Sequence, residues 1–208
     1  MSKIKLVSIG SDPEMFVVNM GSPISAIGLI PGSKEQPYKI SDHEAVQVDN
    51  VAIEFNTKPT LSPEEFIKSL QICYYWADDH LKKINPDYGI LIAPSVRFDK
   101  SQLRSRESKM FGCDPDFNAW TMSVNEPPRS PGNLRSCGAH IHLGIDTGGN
   151  DFYDYGRLVR LLDKNVGIYC ASICGDTERM KLYGKAGSYR TKPYGVEYRT
   201  PSNTWITH

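Results

Sequence analysis

The run Gly138-Ala139-His140-Ile141-His142-Leu143-Gly144 constrains this chain more than any other stretch. An apolar segment interrupted only by two histidines at a spacing of two has the period of a strand, so His140 and His142 share one face while Ala139, Ile141 and Leu143 point to the other. Two imidazoles side by side on such an element need partners for their nitrogens. A metal ion, a phosphate or both would serve, and so would hydrogen bonds to backbone or carboxylates in an ordinary core.

Composition narrows the partners. The chain has 208 residues, enough for one well-packed domain over 1–208. Its 24 basic and 24 acidic residues cancel, so no global field favours nucleic acid or an anionic membrane, and a polyanion must be met locally. No apolar run approaches the roughly 20 residues that span a bilayer. Met1-Ser2-Lys3-Ile4-Lys5-Leu6 leads straight into strand-like sequence with no apolar signal core, which predicts a cytoplasmic protein. The five cysteines, Cys73, Cys113, Cys137, Cys170 and Cys174, are odd in number and lack a CxxC spacing, so reduced thiols are expected.

The first third alternates short strand candidates with turns: Lys5 to Ile9, Met15 to Asn19, Ile24 to Ile30, Ala45 to Asp49 and Val51 to Asn56, the last two joined at Asp49-Asn50. That spacing is hairpin grammar and favours an antiparallel sheet. Ile30 to Pro37 reads as a loop, a candidate flap, from its Pro, Gly and Ser. Ser62-Pro63-Glu64-Glu65 predicts a helix with Ser62 as cap, Pro63 in the first turn and Glu65 closing a capping box, running to about Lys82. A second helix is predicted from Asn150-Asp151 towards Ile173. Strands are expected at Gly89 to Val96 and Trp120 to Val124, and an exposed excursion at Glu126 to Asn133. Strands, helix, strands, helix, strand is an α+β order.

The acids on these strands point to a site. Asp12 and Glu14 share a face at the opening of an apolar run, and Glu54 is the only charge in Val51-Ala52-Ile53-Glu54-Phe55-Asn56, where burial without a partner costs several kcal/mol. A buried arginine or a metal would answer it. In Val196-Glu197-Tyr198-Arg199-Thr200, Glu197 and Arg199 point the same way. The segment from Arg179 to Lys192 holds Lys181, Lys185, Arg190 and Lys192 with two glycines and no strong period, the make-up of a loop that grips phosphates by charge and backbone N–H groups, though without P-loop spacing. Carboxylates suit Mg²⁺ or Mn²⁺, imidazole extends the set towards Mn²⁺, and arginines clamp the phosphates such ions bridge. The whole set reads as a nucleotide site.

The ordered motifs, Asp-Pro-Glu at residues 12–14, the lone Glu54, Gly-Ala-His-Ile-His-Leu-Gly, then Arg190 followed by Tyr-Gly-Val-Glu-Tyr-Arg, resemble the carboxylate-amine ligases with a glutamine synthetase-like fold, relatives of glutamate-cysteine ligase, and within them the small bacteriophage-type branch. The resemblance implies an α+β domain with a curved antiparallel sheet and helices packed on one face. It implies ATP and Mg²⁺ or Mn²⁺ held among Asp12, Glu14, Glu54, His140, His142 and Glu197. It implies nucleotide or phosphate contacts from Lys185, Arg190, Lys192, Arg199 and His142, and a catalytic set of Glu54, Arg190, Glu197 and Arg199. The expected reaction joins a carboxylate, with glutamate the family-level guess, to an amine on a small molecule or peptide through an acyl phosphate. Gln47, Asp49, Asp114 and Asp116 are weaker candidates for touching substrate. A phage-encoded chain would act in the host cytoplasm, with no membrane and no nucleic-acid groove; self-association is left open.

Two other classes compete. A His-x-His strand is also a zinc signature of hydrolases, which need further histidines, and beyond the pair this chain offers only His43, His80 and His208. An inactive nucleotide-binding homologue serving as an interaction module is the third reading.

Overall fold

The computed structural model describes residues 5–109, 116–126, 132–146, 151–174 and 177–208, without the side chains of 151–153 and 181. The expectations for Gly112 to Asp114 and for most of the excursion after Glu126 fall outside that range. The strands are β1 (Lys5–Asn19), β2 (Ser22–Ile24), β3 (Tyr38–Lys39), β4 (Ala45–Asp49), β5 (Ala52–Asn56), β6 (Tyr88–Leu91), β7 (Ser95–Arg97), β8 (Phe117–Asn118), β9 (Ser123–Val124), β10 (Leu134–Ser136), β11 (Ala139–Asp146), β12 (Ser188–Lys192) and β13 (Gly195–Tyr198). The helices are α1 (Pro63–Ile84), α2 (Asp151–Leu162), α3 (Ile168–Cys174) and α4 (Thr177–Leu182).

Among the described residues one large sheet runs β3-β4-β5-β1-β11-β13-β12-β8-β9, with β2 and β6 also on β1, and β7 pairs with β10 apart from it. Every described pairing is antiparallel. The fold is α+β.

β1 is the spine. The sequence reads as two strands split by Asp12-Pro13-Glu14, yet the backbone stays extended through all three residues. Pro13 closes the ladder with β11, opposite Ala139, and from Glu14 onward β1 pairs with β5 and then β6. A residue without an N–H suits the point where partners change.

Side-chain alternation sorts the sheet into two faces. On the rear, Met15, Val17, Val46, Ile53 and Phe55 pack against Cys73, Ala77 and Leu81 of α1. Further along the same face, Leu143, Ile145, Tyr189, Val196 and Tyr198 pack against Tyr155 and Val159 of α2. Each fully buried valine, isoleucine, leucine, phenylalanine or methionine among them contributes roughly 1.5–3 kcal/mol of transfer free energy. Both large helices therefore cover one face, and the opposite face carries the polar side chains.

Several local expectations change. Ser62 caps α1 by accepting from Glu65 N at 3.2 Å, but the Glu65 carboxylate turns to Thr60 Oγ1 at 2.7 Å and Lys58, so the capping box does not close. Ile24 to Ile30 is not a strand: β2 ends at Ile24, and Leu29 N and Ile30 N turn back onto Ala26 O. Gly89 to Val96 splits into β6 and β7 around Ala93-Pro94, and Trp120 to Val124 is strand only at Ser123–Val124. The second helix is interrupted by a π turn at Asp163–Gly167. There Tyr198 Oη and Trp120 Nε1 donate to Asp163 at 2.7 and 2.6 Å, and a Cβ on Gly167 would lie 2.4 Å from Tyr198 Oη. The widened turn brings Asp163 onto the sheet while keeping backbone off the tyrosine.

Candidate functional site

Register gathers the polar residues of separate strands on the face opposite α1 and α2. Glu14 lies opposite Glu54, and Glu54 opposite Gln47. Asp12 lies opposite His140, His142 opposite Glu197, and Glu197 opposite Arg190. Residues far apart in the chain thus stand about 5 Å apart across the ladder, the spacing any antiparallel pair imposes.

The centre is Asp12, His140 and Glu197, whose ligand atoms all lie within 4.8 Å of one another. His140 Nδ1 is 3.1 Å from Asp12 Oδ1 and 3.6 Å from Glu197 Oε1, and His142 Nε2 is 3.0 Å from Asp12 Oδ2. Tyr194 Oη meets the other nitrogen of His142. On the far side, Arg199 pairs with Glu197, Lys192 Nζ lies 2.8 Å from Glu197 Oε2, and Arg190 Nη1 lies 3.6 Å from Oε1. Arg199 Nε is 3.7 Å from Asp116 Oδ2.

Among the described residues the other wing is built of acids and amides, with Lys34 at its outer edge. Glu14 Oε2 accepts from Gly138 N at 2.7 Å, and Asn203 Nδ2 holds the Glu14 carbonyl at 2.9 Å. Glu54 Oε2 accepts from Gln47 Nε2 at 2.8 Å, and Gln47 is in turn held by Asn56. Asp49, further out, takes Lys34 at 2.9 Å.

Electrostatics follow this division. Burial pushes Glu14 up to about 7, and Asp49 and Asp12 add to it against the Gly138 N–H. Burial, then Asp12, Asp49 and Glu14, holds Glu54 well above the carboxylate range. Burial also opposes ionisation of Glu197, but His140 and Arg199 outweigh it and bring the group to about 2. Asp12 is likewise held far below its ordinary value, because His140 and His142 overcome its burial. Burial and Arg199 lower His140, whereas Asp12 lifts His142 in spite of burial.

The donor set fits a hard divalent cation. Carboxylate oxygens and one imidazole converge at the centre, on atoms that now pair only with one another and with Lys192, Arg190 and Arg199 among the described residues. No third histidine joins them among the described residues: His80 stacks on Trp76 with Nε2 against Leu29 O, and His43 is exposed.

The basic segment is not one loop. Arg190 and Lys192 sit on β12 and reach the cluster through strand alternation. Arg179 lies on α4, 3% exposed, and donates to the carbonyls of Cys137, Thr200 and Pro201. It joins the start of β11 to the end of β13 and takes no part in a phosphate loop. Lys185 is exposed in the turn before β12, where its carbonyl accepts from Thr200 Oγ1, and no described contact links its ammonium to the cluster. Tyr194 is a cluster residue that the sequence does not single out. Its Tyr-Gly step precedes Glu197 within a motif already quoted, and its partner is fixed only by register.

Beside the centre lies a cavity of about 320 Å³, walled by Ser8, Gly10, Asp12, Thr57, His142 and Tyr194 among others. No described helix is long and apolar enough to cross a membrane.

No curated protein matches the chain. Residues 130–208, which carry His140, His142, Arg190, Lys192, Glu197 and Arg199, match the family described as Phage phiEco32-like COOH.NH2 ligase-type 2, the carboxylate–amine ligase family that the ordered motifs of the sequence resemble.

Proposed function

We propose that the protein forms an amide bond at the expense of ATP, with an amino acid such as glutamate as the carboxylate partner and an acyl phosphate as intermediate. The observation that carries this reading is the joining, on one sheet face, of two carboxyls, Glu14 and Glu54, that burial and neighbouring acids push upward, to three cations gathered on a single carboxylate, Glu197. The first group calls for divalent ions, and the second holds more positive charge than Glu197 neutralises.

In this reading Asp12, His140 and Glu197 hold Mg²⁺ or Mn²⁺, with Glu14, Glu54 and His142 adjoining. Such an ion, when bound, offsets charge on the phosphoryl oxygens. Arg190, Lys192 and Arg199 receive the phosphates and orient the terminal phosphoryl group towards the substrate carboxylate. A carboxylate oxygen takes the phosphoryl group and ADP is released. The amine nitrogen then attacks the acyl carbon, the C–O bond to phosphate breaks, and the nitrogen gives up its proton. Burial of Glu54 and Glu197 keeps water from the acyl phosphate.

The test is ADP release in the presence of Mg²⁺ or Mn²⁺ against a panel of acids and amines, with the amide identified by mass spectrometry. ADP formation should need both partners and should disappear in Glu54→Gln and Glu197→Gln. ATP-independent hydrolysis with one tightly held zinc would overturn the reading in favour of a hydrolase. Nucleotide binding without turnover would overturn it in favour of an interaction module.

A further inference from the structure

We infer that the cavity beside Asp12 and His142 is the amine subsite, and that it takes a primary amine whose body carries no carboxylate or phosphate. The inference rests on the proposed ligase reading and adds the substrate class to it. Three observations carry it.

The first is position. Asp12 and His142 belong both to the cavity wall and to the cluster, so a ligand seated there presents one end to the reacting centre. The second is charge. Among the lining residues Asp12 bears the only formal charge and cancels whatever charge His142 carries, while Arg190, Lys192 and Arg199 lie across the cluster, around Glu197. Of the three reactants, ATP and the acid need cations and the amine does not.

The third is shape. The cavity volume lies near the lower end of the roughly 300–1,000 Å³ typical of small-molecule sites. Its floor is made of small residues: Ser8, Gly10 and Gly144 stand side by side on β1 and β11. Two of the wall's hydroxyls are already engaged, Thr57 Oγ1 with both Ser11 N and Ser11 O, and Tyr194 Oη with His142. An alkyl, hydroxyalkyl or amide-bearing body suits such a wall, whereas a free carboxylate would find no lysine or arginine in it.

Gly10 provides the probe. It has no left-handed backbone requirement, and a Cβ there would meet Thr57 Oγ1, Pro59 Cα and His142 Cβ at 3.8 to 4.0 Å, ordinary contacts among the cavity walls. Gly10→Ala therefore narrows the cavity and Gly10→Leu fills it, without replacing any charged or titratable side chain.

The experiment measures KM for each reactant in wild type, Gly10→Ala and Gly10→Leu, with n-propylamine, ethanolamine and putrescine compared with glycine and alanine as amines. Thermal melts establish that the variants fold. The expected result is preference for the carboxylate-free amines and an amine KM raised at least tenfold in Gly10→Leu and less in Gly10→Ala, with KM for ATP and acid within twofold of wild type. A rise in KM for ATP or for the acid instead, or glycine and alanine as the better amines, overturns the assignment. A folded Gly10→Leu with unchanged amine KM also overturns it.

If wild type joins no acid to any amine, the ligase reading fails on its own, and occupancy is read directly by saturation-transfer NMR with n-propylamine. Binding that is lost in Gly10→Leu keeps the subsite, and no binding to wild type removes it.

Discussion

The two wings of the polar face are built alike and charged in opposite ways. Glu54 and Glu197 each sit on a strand one residue pair away from a polar neighbour, each is buried, and each faces the same side of the sheet. Around Glu197 the sequence supplies Arg190, Lys192 and Arg199; around Glu54 it supplies Gln47, Asp12, Asp49 and Glu14. The surroundings thus favour the ionised form of the carboxyl group on one wing and its protonated form on the other. A carboxylate whose partners are already in the protein takes a further cation only in competition with them, and one surrounded by acids gains most from a cation.

One substitution made twice tests this contrast most severely. Glu197→Gln removes the counter-charge from three clustered cations, and breaking a buried pair in this way should lower stability by about 3–5 kcal/mol. Amide formation should fall by roughly 10³ or more, because the phosphate-facing cations lose their geometry. Glu54→Gln removes a charge that burial and the neighbouring acids disfavour, so unfolding by urea should show stability unchanged or raised. Its activity should still fall by about 10²–10³, from loss of a ligand for the divalent ion. Equal destabilisation by the two variants would abolish the distinction between the wings.

The strand period made the facing of these residues legible from the sequence. Alternation alone separates Asp12 and Glu14 from Met15, His140 and His142 from Leu143, and Glu197 and Arg199 from Val196. Register was not legible, because which strand lies beside which depends on contacts made across the whole domain. Hence no local signal marks Tyr194 as the partner of His142, and the run alone does not distinguish Arg179, Lys185 and Lys192. The interruption at Asp163 is another such case: its cause lies on β13 and at Trp120, remote from the helical segment itself.

A pH titration sharpens the contrast with a smaller effect. Glu14 binds its proton more tightly in the folded chain than its ordinary value of 4.5, so the stability it lends is present below that value and is lost as pH rises through about 7. The ion-free protein should lose thermal stability relative to Glu14→Gln between pH 4.5 and 8, with each 1 kcal/mol worth roughly 2–4 °C in Tm. His140, held below its ordinary value, acts in the opposite sense but is common to both proteins, so the difference isolates the carboxyl. Saturating Mn²⁺ should reverse the trend and release protons on binding, measurable in weakly buffered solution. Parallel pH profiles for the two proteins would show that Glu14 ionises normally and that this wing has no deficit of cations.

The finest discrimination lies within the basic wing, between two lysines the sequence ranks together. Lys192 Nζ reaches Glu197 at 2.8 Å, about a third exposed, whereas Lys185 projects from a turn on which only its carbonyl is held by the fold. If phosphates enter where the cations surround Glu197, Lys192→Met should raise KM for ATP by about tenfold, the equivalent of about 1.4 kcal/mol. Lys185→Met should stay within about twofold, as exposed substitutions away from a site generally do. Raising ionic strength should weaken the Lys185 contribution first, since an exposed charge is screened within about 10 Å at 0.1 M salt and a half-buried one much less. A tenfold effect at Lys185 with none at Lys192 would move the nucleotide off the sheet face and onto the turn before β12. The three-cation cluster would then be a purely structural clamp on Glu197.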